Sequence, residues 1–199
     1  MDYHIGNDKT HPQEFKEYII NPLKLEKLTK NDCLVGHYNM AGIQLWERYP
    51  ELDRYHHRKF SILREPLETA MSGVKFGIKR GWADVNMSKE VKERLLLRRS
   101  RFFSSTLGIL DEYHAKEVLE KYWFIAPLDK IDLAAKLIGL ELGKKPKPVD
   151  TLNTTTPQDN FFDEELKEKF KASATLDIFI YNLCVLRFEH LCEELRLRP

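Results

Sequence analysis

The 199-residue sequence predicts an α/β fold, a parallel sheet flanked by helices. Two features carry that expectation. Short apolar runs, "DCLVG" (32–36), "KFSIL" (59–63) and "YWFIAP" (122–127), alternate with longer stretches of helical period. Two residues able to do chemistry, His37 and Arg64, directly follow two of those runs. Parallel sheets hold their ligands there, beyond the carboxyl ends of the strands.

Taken in order, residues 1–30 are polar and poorly patterned, with a short helical stretch expected at "PQEFKEYII". "AGIQLWERY" (41–49) reads as a helix stopped by Pro50. After the second strand, Pro66 suits a first helical position and Glu68 puts an acid in the first turn. Val74, Ile78 and the Gly81 stop extend that helix to about residue 80. Residues 88–120 read as one or two helices, with the arginine-rich stretch "KERLLLRRSR". The third strand precedes "DKIDLAAKLIGLELG" (129–143), an amphipathic helix ending at Gly143. Residues 144–160, "KKPKPVDTLNTTTPQDN", form one long Pro- and Thr-rich loop, of a length usually functional or mobile inside a compact domain. A C-terminal helix over residues 173–197 carries a stripe of Leu176, Ile180, Leu183, Cys184, Phe188, Leu191 and Leu195. The length suits a single domain.

The composition, 42% hydrophobic and 32% charged, is that of a globular chain and excludes disorder as the main state. A formal net charge of +1 provides no global field for nucleic acid or membrane, so any anion site is local. No apolar run is long enough to span a membrane, and "MDYHIGNDKTHPQ" is not a signal peptide. Cys33, Cys184 and Cys192 form no zinc pattern. On one helix the last two lie roughly 12 Å apart, too far to bridge. A reducing, cytoplasmic setting is the plain expectation for the sequence as it stands.

Arg64 and Ser72 are the candidate anion ligands. A guanidinium offers paired donors to phosphate or sulfate oxygens, a hydroxyl adds another, and a helix amino end adds free amides. The competing reading pairs Arg64 with Glu65 or Glu68 and makes Ser72 a small packing residue. His37, in "CLVGHYN", has the pKa of a general base for a substrate hydroxyl, or is a satisfied structural histidine. His56 and His57 lack further ligands at metal-binding spacing. "RRSR" (98–101) reads as a solvated helix face, with anion contact the lesser alternative. Asn153 is a turn residue or a ligand contact, and it and Asn86 stand in glycosylation sequons, which matter only in a secreted protein.

Together four stretches resemble, in order, the sulfotransferase family that includes the heparan-sulfate 2-O- and 6-O-sulfotransferases and bacterial relatives. "LVGHYNMAG" resembles the segment bearing the catalytic histidine, and "FSILREPLETAMSGVKF" the strand, arginine, acid-Pro and serine that bind the cofactor's 3′-phosphate. "YWFIAPLDKIDLAAKLIGLELG…LNTT" resembles a further strand–helix–loop, and "LDIFIYNLCVLRFEHL" the closing helix. The resemblance covers about residues 30–195. It implies a fold like that of P-loop NTPases and transfer of a sulfuryl group from 3′-phosphoadenosine 5′-phosphosulfate (PAPS). The acceptor would be a hydroxyl or amine on a molecule such as a glycan. Arg64 and Ser72 would bind the 3′-phosphate, His37 would be the catalytic base, and no metal would be required.

Two departures stand out. Glu65 replaces the family's usual Asp. The amino-terminal strand and phosphosulfate loop, usually similar to "hIPKTGGTS", has no counterpart, since Lys9-Thr10 in "IGNDKTHPQ" is followed by no glycines. The fold is therefore expected to be N-terminally incomplete, either because the enzyme is longer, with room for a signal or anchor upstream, or because half the cofactor site is lost. The alternative function is a catalytically impaired relative that holds adenosine 3′,5′-bisphosphate or a protein partner. A kinase is disfavoured because no Gly-rich loop with Lys-Ser/Thr occurs.

Overall fold

Parallel pairing is the first feature of the expected architecture that the computed structural model contains. The structure describes residues 49–50, 58–145 and 161–197. The expected strand at 32–36, the helices before Pro50 and most of the 144–160 loop lie outside them.

The chain divides into two units, Met1–Arg58 with Gly139–Lys144, and Lys59–Ile138 with Lys145–Pro199. Little of the first is described. Within it, Arg58 Nε meets Glu141 Oε1 at 2.9 Å.

In the second unit, β1 (Phe60–Leu63) pairs in parallel with β2 (Phe124–Pro127), with Phe60 opposite Phe124 and Leu63 opposite Pro127. These two strands make up the sheet among the described residues. The strand β2 is buried at every position, which explains why it reads as an unbroken apolar run rather than an alternating one. The Phe60 and Phe124 rings stack across the pair at 5.5 Å.

Most of the unit is helical. Between the strands run α1 (Pro66–Lys79), α2 (Lys89–Leu97), α3 (Phe102–Leu107) and α4 (Glu112–Glu120). After β2 a 3-10 turn, Leu128–Lys130, leads into α5 (Ile131–Glu141). Then follow α6 (Glu164–Ser173) and α7 (Thr175–Glu194). The stretch expected to hold one or two helices thus holds three short ones. Gly108 is the reason for one break, since its φ of 68° suits a residue without Cβ and ends α3. The helix α6 falls where the sequence suggested no element. Its apolar residues are few, Leu166 and Phe170 one turn apart, but both are buried and Asp163 caps its amino end by accepting from Leu166 N.

Two apolar cores form among the described residues. In one, Phe124 and Ala126 of β2 meet Leu133, Ala134 and Leu137 of α5 and Phe188 and Cys192 of α7. In the other, Leu67, Ala70 and Val74 of α1 pack with Leu96, Leu166 and Phe170. Lys89 of α2, paired with Asp163 at 3.1 Å, and Lys169 of α6, paired with Glu93 at 3.0 Å, fasten the edge of this second core.

The expected stripe on the last helix needs a rotation. Ile180, Cys184 and Phe188 are buried as anticipated, but Leu195 is 49% exposed and the line continues instead through Cys192 and back through Asp177. Asp177 is the unexpected member. Its carboxylate, 1% exposed, accepts from Phe103 N at 2.7 Å and Ser104 N at 2.9 Å, capping α3 from another helix. A buried carboxylate is tolerated when charge-assisted bonds of this kind replace its water.

Two predictions follow from this core. Asp177→Ala leaves both amides buried without an acceptor and lowers the unfolding free energy in urea by about 2–4 kcal/mol, while Asp177→Asn, which keeps one acceptor oxygen, loses less. Burial pushes the Cys184 thiol up to about 12. Because the folded value lies above the unfolded one of about 8.5, its contribution is complete below that pH and declines as pH rises toward the folded value. Stability measured from pH 7 to 11 should therefore fall on the alkaline side, and less steeply in Cys184→Ala.

Candidate functional site

The Arg64 candidate stands at the carboxyl end of β1, as anticipated, in the two-residue step between the strand and α1. Pro66 occupies the first helical position and its ring removes an amide that would otherwise lack a partner. Glu65 is the cap, its side chain accepting from Glu68 N at 2.7 Å. Thr69 donates its hydroxyl to the Arg64 carbonyl at 3.2 Å, which holds the step against the first turn. At the other end Gly81, with φ 72°, lets Trp82 N reach back to the Gly77 carbonyl at 2.8 Å.

Arg64 itself is exposed, and its Nε donates to Glu68 Oε2 at 3.0 Å. That is the pairing the sequence allowed as the competing reading. Ser72 follows Glu68 by four residues and so lies along the same face of α1, half-buried. Arg64, Glu68 and Ser72 therefore form one row, with a carboxylate between the two candidate anion ligands.

The surroundings of that row are acidic. Tyr181 of α7 has its phenol pushed up by partial burial and by the charges of Asp129, Glu65 and Glu68. Two of those acids stand just beyond the carboxyl ends of the strands, Asp129 after β2 and Glu65 after β1. In the same region Lys130 donates to Glu189 at 2.7 Å, and that bond raises the lysine's pKa. Tyr181 and Asp129 carried no signal in the sequence, because neither belongs to a local pattern and only the meeting of α7 with the strand ends gives them a role.

The arginine cluster at 98–101 is not a helix face. Arg98 is the C-cap of α2, and the cluster forms the turn into α3. Arg98 and Arg101 are exposed, while Arg99 is partly buried and folds back onto α1. A Cβ placed on Gly73 would lie 2.4 Å from both Cζ and Nη1 of Arg99, so the guanidinium occupies the space that any larger residue at 73 would need. This explains a glycine in the interior of a helix, where it otherwise costs about 1 kcal/mol relative to alanine. The sequence held that clue in "AMSGVKF", because an isolated glycine inside a helical pattern often marks a close approach. Burial and the neighbouring Arg98 both disfavour the charged form of Arg99.

His37, His56, His57 and Asn153 lie outside the described residues, so the structure places Arg64 just before α1 and Ser72 within its second turn without placing the base. Among the described residues no group of three or more His, Cys, Asp or Glu stands close enough to hold a metal ion. Among them, too, no helix is long and apolar enough to cross a membrane. The chain matches no protein-family model, no curated protein and no solved structure.

The geometry separates the two acids beside Arg64. Glu65→Ala removes the helix cap and lowers the unfolding free energy by about 1 kcal/mol. Glu68→Gln breaks only an exposed ion pair and changes it by less than about 0.5 kcal/mol. Urea denaturation of the two variants side by side checks this.

Proposed function

We propose that this chain is a sulfotransferase-type domain that binds PAPS, with Arg64 and Ser72 on the 3′-phosphate and His37 as base toward an acceptor hydroxyl. The observation that carries the proposal is the β1–Arg64–Glu65–Pro66–α1 unit beside a parallel β2. A guanidinium at the carboxyl end of a parallel strand, followed at once by a helix amino end, is a suitable arrangement for a phosphate.

The ion pair between Arg64 and Glu68 is compatible with this role. Both side chains are about half exposed, 43% and 54%, and pairs of that kind are held by about 1 kcal/mol or less. A phosphate monoester carries more charge than a carboxylate and accepts both guanidinium donors, so it displaces Glu68 at small cost. Glu68 is then a competitor for the arginine, and Ser72, next along the row, supplies the hydroxyl donor.

In the reaction, bound PAPS supplies an activated sulfuryl group. His37 removes the acceptor's proton as its oxygen attacks sulfur in line, and adenosine 3′,5′-bisphosphate leaves. By analogy with phosphoryl transfer, the protein's share is alignment and neutralisation of charge on the leaving oxygen. The acceptor is a hydroxyl or amine on a glycan or a small molecule.

Calorimetric titration with adenosine 3′,5′-bisphosphate tests the site. Binding by the wild type should weaken roughly tenfold or more in Arg64→Ala. In Glu68→Gln it should tighten by up to about fivefold, because the competing carboxylate is gone. No binding by folded wild-type protein would sink the proposal. Binding without sulfuryl transfer to any acceptor, unchanged in His37→Ala, would leave a nucleotide-holding relative in place of an enzyme.

A further inference from the structure

The guanidinium of Arg99 packs against α1 at Gly73, the residue next to Ser72. It comes from a different part of the chain, the turn after α2. Successive Cα atoms are about 3.8 Å apart, so Arg99 packs one residue along α1 from Ser72.

Three features of Arg99 are unlike those of a packing arginine. Lys89 and Lys169, at the edge of the core to which α1 and α2 contribute, are each paired with a carboxylate, Asp163 and Glu93. Arg99 has no carboxylate partner among the described residues, and the charge that acts on it is another cation, Arg98. It is also partly desolvated, a state that costs free energy for a charge unless an anion offsets it. Finally, α1 forgoes a side chain at position 73, and with it helix propensity, where the guanidinium lies. An unpaired, partly dehydrated guanidinium seated on a glycine is prepared for a planar, doubly accepting anion.

We propose that Arg99 is a second guanidinium of the phosphate site on α1, meeting the same phosphate monoester as Ser72. The assignment rests on the proposed nucleotide site and adds to it a residue that no local motif contains. With Arg64 approaching from the strand end and Arg99 from the α2–α3 turn, the phosphate's charge is met from two sides of the Ser72 hydroxyl. Such an arrangement selects for a phosphate on the ribose 3′ position over a nucleotide that lacks one.

The test uses the whole chain, with adenosine 3′,5′-bisphosphate and adenosine 5′-monophosphate as probes in calorimetry and thermal melting as the check on folding. Arg99→Met should bind the bisphosphate roughly ten- to hundredfold more weakly. Its melting temperature should hold or rise, because an uncompensated charge has been removed. Gly73→Ala keeps the charge but pushes the flexible guanidinium aside. It should also weaken binding, by several-fold, while its melting temperature holds or rises through the gain in helix propensity. The monophosphate should bind weakly to all three proteins and distinguish none of them.

Bisphosphate binding that is unchanged in both variants overturns the role of Arg99 and leaves the Arg64–Ser72 site standing. Wild-type protein that binds neither probe overturns both. If Arg99→Met fails to fold, Gly73→Ala decides alone, since its added methyl meets only the mobile end of a side chain.

Discussion

The carboxylate of Asp177 sets the helical framework. It sits on α7 and takes two backbone amides from the start of α3, with almost no exposure to water. A buried charge with two directional bonds tolerates little rotation of the helix that carries it. That restriction determines which side of α7 faces inward, and hence that Ile180, Cys184, Phe188 and Cys192 are the residues buried. Residues 177 and 188 are eleven apart, close to three helical turns, so the polar anchor and the aromatic one share a face. Phe188 then reaches Phe124 at 5.5 Å, and the sheet's inner strand is covered.

From that framework the strand ends follow. The strand β2 is buried throughout, which requires cover on both faces, and α7 and α5 both contribute to the core on it. With β2 fixed, the register of β1 places Leu63 opposite Pro127. Both strands therefore finish at one level, and the residues just beyond them, Arg64 and Glu65 on one side and Leu128 and Asp129 on the other, belong to a common rim. Tyr181 of α7 feels the charges of that rim, so the same helix that builds the core also contributes to the candidate site.

The local chemistry of the site shows a balance between cations and carboxylates. Glu65 serves the helix, Glu68 holds Arg64, and Asp129 adds to the negative field. Exposed pairs of this kind are weak and exchange readily with a more highly charged ligand. Arg99 differs because it has a glycine beneath it and no acid opposite it among the described residues. The difference between Arg64, which a carboxylate holds, and Arg99, which packs on a glycine, comes in the second case from a partner far away in sequence.

Much of the local structure was legible from the sequence. Pro66 as the first helical residue, Gly81 and Gly143 as stops, and the apolar runs at β1 and β2 depend on backbone sterics and on strong apolar patterning, which act within a few residues. Arg64 at the end of a strand and Ser72 on the helix that follows were equally readable, because both placements depend on local pattern. Tertiary structure decided the rest. It chose Glu68 over an empty guanidinium, turned α7 so that Asp177 and Cys192 were buried in place of Leu195, and buried Leu166 and Phe170 to make a helix of α6. It also laid Arg99 across Gly73, twenty-six residues away in the chain. Spacing fixes what a residue is able to face, but the burial of a charge depends on which distant backbone or carboxylate arrives to meet it, and no local pattern encodes that meeting.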